Sequence, residues 1–369
     1  MRRVTLDKIA SVTSRLALDV NAVLGDEIPA VSGTVIAARV LNAKSTYNTL
    51  EDVHGRMVAL HPGDVIAGAL GHRDALYGHA GRVPDSVAVG DELRLLNLGG
   101  VIGQTDAPAG TPSGNIEEPF RLEVLGSVLE FPYFGRRVGL PAQIARGALP
   151  VRVPHPDGLP PLVALVGTSM DAGKTTAAAA LVRALVRRGL TVAAGKMTGV
   201  SLRRDVLMMQ DCGARPVAIF TDFGVVTTNR DNAVSAAHGL VGHLAESRPD
   251  LIVLEMGDGL LGTYGVDALL SDPLLASAIR SVILCAQDPV GAWGALELLR
   301  ARYQLEADVV SGRVTDGSTG MRFCRETLGL PGWNALRDGE RLAETVLAAI
   351  ETRSAATNGV THGVLAGAR

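Results

Sequence analysis

The stretch GTSMDAGKTT, residues 167–176, has the residue types of a loop that holds phosphate. Backbone N–H groups of a glycine-rich turn, followed by the N-terminus of a helix, make a ready anion site. Lys174 can reach the outer phosphates of a nucleotide, and the Thr175 hydroxyl can sit on Mg2+. Thr176, next in line, can support the α-phosphate. The usual spacing of such loops is G-x-x-x-x-G-K-[ST]. Here five residues, not four, separate Gly167 from Gly173. The expected nucleotide contacts are Gly167, Thr168, Asp171, Ala172, Gly173, Lys174, Thr175 and Thr176.

Such a loop needs a buried strand before it and a helix after it. PLVALVG (161–167) is an apolar run ending in glycine, and KTTAAAALVRALVRRG (174–189) is Ala-rich, basic at its end and closed by Gly189. TVAAG (191–195), DLIVLE (250–255), SVILCA (281–286) and ADVVSG (307–312) read as further buried strands, and 339–353 as a closing amphipathic helix. Continuous apolar strands joined by helical crossovers predict an α/β domain with a mainly parallel sheet covered on both faces.

Other charged residues fall at ends of these strands. Lys196 follows TVAAG, where a second cation can neutralise charge during phosphoryl transfer or hold an anionic substrate. Glu255 ends DLIVLE before a Gly-rich turn, the edge where open α/β sheets bind ligands. A charge at the end of such a run is costly unless it is paired or metal-bound. Asp258 adds a carboxylate that can touch metal or substrate. Asp205, Asp211 and Asp222 compete for a further metal contact, Asp205 also reading as a helix N-cap or first-turn acid.

The form G-T-x-x-x-x-G-K-T resembles the P-loop of dethiobiotin synthetase and its relatives, including the amidoligases that act on cobyrinic acid. In that family a K-P-x-x-x-G stretch ends the next strand; Lys196 takes the lysine's place, Gly199 follows, and Met197 replaces the proline. Asp205 before VLMMQ fits a D-A-L-x-L-Q-like helix whose aspartate binds Mg2+. Glu255 takes the place of the glutamate in V-E-G-A-G-G that completes the magnesium site, with MGDGLLG departing from G-A-G-G. SVILCAQDPVGAWGALELL (281–299) resembles the family's next strand, loop and helix, with Gly291 near the helix start. Gly312 and Arg313 stand where relatives place an asparagine that helps recognise the base, so ATP and GTP both remain open. The resemblance covers roughly residues 160–350. It implies a P-loop NTPase fold with Mg2+ held by Thr175, Asp205 and Glu255, and Lys174 and Lys196 as catalytic cations. It also implies an ATP-dependent, ligase-like enzyme that activates a carboxylate or carbamate by phosphoryl transfer. Two alternative readings stand beside it: a nucleotide-dependent switch or assembly factor, a kind of protein that the relatives of this loop include, and a transferase that uses the loop to hold a phosphorylated cofactor such as coenzyme A.

Residues 1–150 read differently. SGTVIAARVL (32–41), RMVAL (56–60), DVIAGAL (64–70), DELRLLNL (91–98) and FRLEVLGSVL (120–129) are short strands broken by turn residues. They predict a β-rich domain, a small barrel or sandwich, serving as a substrate or partner module. A helix over roughly Leu6–Leu24 is expected before it. GHRDALYGHAG (71–81) offers Arg73 and Tyr77 as contacts for an anionic substrate. Half of the eight histidines lie at 54–79, but without HxH or HExxH spacing. The proline-rich stretch 151–161 reads as a linker to the P-loop domain at 162–353, and 354–369 as a flexible tail.

Bulk properties bound the function. A net charge of −3 and no basic stripe exclude an electrostatic footprint for nucleic acid, and 4% aromatics argue against base stacking. Three widely spaced cysteines give neither a disulfide framework nor a thiolate zinc site. No run of about 18 apolar residues predicts a membrane span. The expectation is a cytoplasmic protein with a small-molecule substrate, no nucleic acid or membrane partner, and a homodimer.

Overall fold

A computed structural model describes residues 1–74, 76, 78–105, 117–133, 135 and 138–366, the side chains of 157 and 356–366 lying outside the description. The chain forms two compact units. The first is Met1–Pro150 with Gly199–Asp205 and Ile219–Thr228; the second is Val151–Thr198, Val206–Ala218 and Asn229–Arg369. After its first crossing the chain thus re-enters the first unit twice, through segments that the sequence pattern assigns to the P-loop half.

In the first unit, five strands close on themselves. Arg121–Glu130 pairs antiparallel with Val35–Val40, which pairs antiparallel with Val65–Leu70. Val65–Leu70 pairs parallel with Val101–Thr105; Glu92–Leu95 then pairs antiparallel with both Val101–Thr105 and Arg121–Glu130. The result is a barrel, not a sandwich. Closure needs a bent strand, and the ten-residue strand Arg121–Glu130 supplies it with a register shift between Val124 and Gly126. Ile36, Ile66, Leu70, Ile102 and Leu122, which the register sets on one face, are fully buried.

The helix expected over Leu6–Leu24 is absent. That stretch holds a short 3-10 turn, Ser11–Leu16, and the strand Asn21–Gly25, which pairs antiparallel with Arg2–Thr5. Leu6, Ala10 and Val12 are buried in the barrel core, so tertiary packing overrides a helical pattern interrupted by β-branched residues.

The second unit contains a six-stranded sheet. Its order is Val217–Ile219, Val192–Thr198, Leu251–Met256, Leu162–Gly167, Ile279–Cys285, Val309–Ser311. The pairings across the last five are parallel. Leu162–Gly167 and Leu251–Met256 are buried along their whole length, as strands covered on both faces must be. The closing helix is Gly339–Ala366. No proline interrupts that stretch.

Glu92 sits at the barrel's closing seam. Arg121 donates to both its carboxylate oxygens, at 2.9 and 2.6 Å, and Arg94 lies 2.6 Å away. These hydrogen bonds, that from Arg121 first, hold its carboxyl at about 2, below the ordinary 4.5. A depressed carboxyl stabilises the fold above the ordinary value and loses that contribution as pH falls towards the lowered one. Acid unfolding followed by circular dichroism should therefore show a loss between about pH 4.5 and 2 that the Glu92→Gln variant lacks.

Candidate functional site

The carboxyl edge of the parallel sheet gathers the charged residues. Gly167 ends the central strand, and its carbonyl accepts from the Leu260 N–H at 2.9 Å. The Thr168 N–H donates to the Cys285 carbonyl at 3.0 Å, tying the loop to the neighbouring strand. Asp171 turns the chain with φ +59°, and Gly173, φ +97°, precedes the helix Lys174–Arg187. That left-handed geometry costs glycine little, which is why glycine stands there. Gly312 packs on the loop from the last strand; a β-carbon there would collide with the Ala172 carbonyl. Ala172 is buried, Thr175 half-buried and Thr176 exposed on the first helical turn.

Lys174 is 5% exposed, and its Nζ donates to the Ser169 carbonyl at 2.8 Å. Its side chain lies over Gly167, where a β-carbon would stand 2.7 Å from Nζ. Burial lowers its pKa from the ordinary 10.5; Glu255 and Asp258 oppose that shift, and Lys196 adds to it. Glu255, 3% exposed, accepts the Thr175 hydroxyl at 2.8 Å through Oε1. Lys196, 7% exposed, is the register partner of Glu255 on the adjacent parallel strand, so both side chains leave the same face. Gly257 lets the turn pass close to the neighbouring strand: a β-carbon at 257 would collide with the Thr198 carbonyl oxygen, with the Lys196 Cε 3.3 Å away. Asp258 follows in the turn with φ +69°. Lys174, Lys196, Thr175, Glu255 and Asp258 thus share one edge of one unit.

The Thr175–Glu255 pair fits a hard cation. Ligands at adjacent octahedral positions on Mg2+ lie about 3 Å apart, given metal–oxygen bonds of about 2.1 Å. The 2.8 Å hydroxyl–carboxylate bond holds two oxygens at nearly that spacing. Two protein oxygens suffice, because Mg2+ takes its remaining ligands from phosphate and water. Asp205 belongs to the first unit, on the first turn of the helix Arg204–Asp211. In that unit the fully buried Glu51 carboxylate accepts the Arg203 and Arg204 N–H groups and the Ser11 hydroxyl, fixing the start of this helix. Asp222 accepts from Arg203 at 3.0 Å and from the Ile219 N–H at 3.0 Å, a structural use of that carboxylate.

Arg73 donates to the carbonyls of Leu96 at 2.6 Å and His79 at 3.2 Å. Tyr77 lies outside the described residues. Burial, with Lys44 and Arg73 nearby, pushes His79 down to about 4, so the ring is neutral at pH 7. Among the described residues no group of three or more His, Cys, Asp and Glu side chains could hold a metal ion. Nor, among them, is any helix long and apolar enough to cross a membrane.

Sequence reasoning missed Gln287. Its Nε2 donates to Ser169 Oγ at 2.9 Å and to the Met170 carbonyl at 2.8 Å, strapping the Gly167–Gly173 loop from the next strand's exit. The only signal was positional: QDP places it just before Asp288, which caps the helix Pro289–Leu298.

No family model matches the chain, and no curated protein matches it. Among solved structures, it is similar to a DUF1611 family protein from Anabaena variabilis at 16% identity and a TM-score of 0.41. That alignment covers 54% of this chain and 61% of the other. The signal recognition particle receptor FtsY from Elizabethkingia anophelis aligns at 16% identity and a TM-score of 0.36, over 51% and 65% of the two chains. FtsY from Thermotoga maritima aligns at 16% and 0.35, over 55% and 74%. The alignments thus span less than two thirds of the first two proteins named.

Cys285, the register partner of Gly167 on the neighbouring strand, is fully buried. Burial pushes its thiol up to about 12, although Lys174 pulls the other way. Alkylation of the native protein at pH 8, read by mass spectrometry, should modify the half-exposed Cys212 and leave Cys285 intact until the fold is lost.

Proposed function

We propose that this chain binds a magnesium–nucleoside triphosphate on the loop Gly167–Thr175. We further propose that it transfers the terminal phosphoryl group to an anionic oxygen of a small molecule. The acceptor class is a carboxylate or carbamate, which phosphorylation activates for attack by an amine or similar nucleophile. The observation that carries the reading is the Thr175–Glu255 hydrogen bond beside the buried Lys174. A helix start that serves only to join strand and helix has no need of a buried lysine and a buried carboxylate together, since each is expensive to desolvate.

Each residue then has a task. The loop N–H groups and Lys174 bind the outer phosphates and stabilise charge that builds on them. Thr175 and Glu255 would hold Mg2+, which screens the phosphate charge when bound. Lys196 neutralises the acceptor oxygen next to the transferred group. That second buried cation favours transfer to an anion over a site that only holds nucleotide. In the step itself, the bond from the acceptor oxygen to the terminal phosphorus forms. The bond from that phosphorus to the bridging oxygen breaks, and its electron pair leaves on the diphosphate.

Calorimetric titration of ATP and GTP, each with and without Mg2+, tests the binding. Wild type should bind at least one of them more tightly with Mg2+. Glu255→Gln should lose that magnesium dependence, weakening binding about tenfold or more. A wild-type protein that binds neither nucleotide sinks the reading. Lys174→Ala should abolish phosphate release in the presence of a carboxylate library without lowering the unfolding midpoint. Turnover equal to wild type in that variant would remove phosphoryl transfer from this loop.

A further inference from the structure

We infer that Gln287 is the positioning residue that holds the lengthened phosphate loop in its receiving shape while nucleotide is bound. The inference rests on the nucleotide reading above. Five residues between Gly167 and Gly173 leave one more than the usual loop must absorb. The far side of the loop, at Ala172 and Gly173, is packed against Gly312. The near side, Thr168 to Met170, is where external ties gather.

Two side chains tie that near side. Lys174 Nζ donates to the Ser169 carbonyl at 2.8 Å. Gln287 Nε2 donates to the Met170 carbonyl at 2.8 Å and to Ser169 Oγ at 2.9 Å, while its backbone N–H faces Thr168 Oγ1 at 3.4 Å. The amide orientation follows from the partners: a carbonyl only accepts, so the nitrogen must face Met170. Ser169 Oγ in turn donates to the Met170 carbonyl at 3.0 Å, completing the strap.

The two ties differ once phosphate arrives. An ammonium is drawn to the phosphate charge, so the bond from Lys174 to Ser169 is shared with the ligand. A neutral amide feels no such pull, and the bonds from Gln287 persist. The backbone beneath Gln287 is itself pinned. The Ala286 N–H donates to the Ser311 carbonyl at 3.0 Å, and the Ala286 carbonyl accepts from Val314 at 3.0 Å. Asp288 accepts the Gly291 N–H at 2.9 Å as the helix cap. A side chain held on both sides in this way arrives preorganised, and it keeps the loop N–H groups aimed inward.

The test compares wild type, Gln287→Leu and Gln287→Glu by two readouts: affinity for whichever of MgATP and MgGTP wild type binds, and the unfolding midpoint without ligand. The leucine variant should bind about tenfold more weakly, the worth of a hydrogen bond or two. Its unliganded midpoint should stay near wild type, because Lys174 still ties Ser169. The glutamate variant should bind more weakly still at pH 8, where its carboxylate cannot donate and repels phosphate. Its deficit relative to wild type should shrink as pH falls and the carboxyl becomes able to donate. If the leucine variant also melts lower, that pH-dependent deficit decides for positioning. Wild-type affinity in both variants overturns the inference and leaves the nucleotide reading standing. Absence of binding by wild type overturns both.

Discussion

Charge buried at the end of an apolar sheet is the constraint on which the second unit depends. Lys174, Lys196 and Glu255 all have less than a tenth of their surface exposed. None could stand there alone, since an isolated ion taken out of water costs several kcal/mol (about that even after relaxation). The parallel register solves the problem by setting Lys196 opposite Glu255, one strand away from the loop that carries Lys174. The sheet's twist and order therefore do more than build a core. They bring opposite charges from distant stretches of chain to one edge.

The loop from Gly167 to Gly173 is correspondingly fastened within its unit. The Leu260 N–H takes the Gly167 carbonyl, Cys285 takes the Thr168 N–H, Gln287 straps Ser169 and Met170, and Gly312 backs Ala172. The partners come from three neighbouring strand ends: Leu260 after Leu251–Met256, Cys285 and Gln287 at the end of Ile279–Cys285, and Gly312 after Val309–Ser311. Ordering such a loop costs conformational entropy. Here the ordering is done by folding.

The first unit applies a different economy. Its barrel closes through one parallel and four antiparallel pairings, sealed by Glu92 bridging Arg121 and Arg94. Polar side chains in this unit pair with backbone groups. Arg73 satisfies two carbonyls, and Glu51 satisfies two N–H groups at a helix start. Buried backbone groups must be paired, and in irregular segments side chains do that work.

The sequence alone determined the features that rest on local spacing and hydrophobic pattern. The strand, loop and helix from Leu162 to Arg187 were legible because apolar run, glycines, lysine and threonine adjoin in the chain. So were the buried strand ending at Glu255 and most of the barrel strands, whose lengths and turn residues are local signals. Tertiary structure decided the rest. Leu6–Leu24 carries a plausible helical pattern, but pairing with Arg2–Thr5 and burial in the barrel make it strand and turn. Barrel against sandwich was settled by Glu92–Leu95 finding two partners. Whether Lys196 meets Glu255 depends on strand order, and the role of Gln287 on a loop more than a hundred residues earlier in the chain. Local composition encodes which element forms. Which charges meet is encoded only in the register and order of strands, a property of the whole packed sheet.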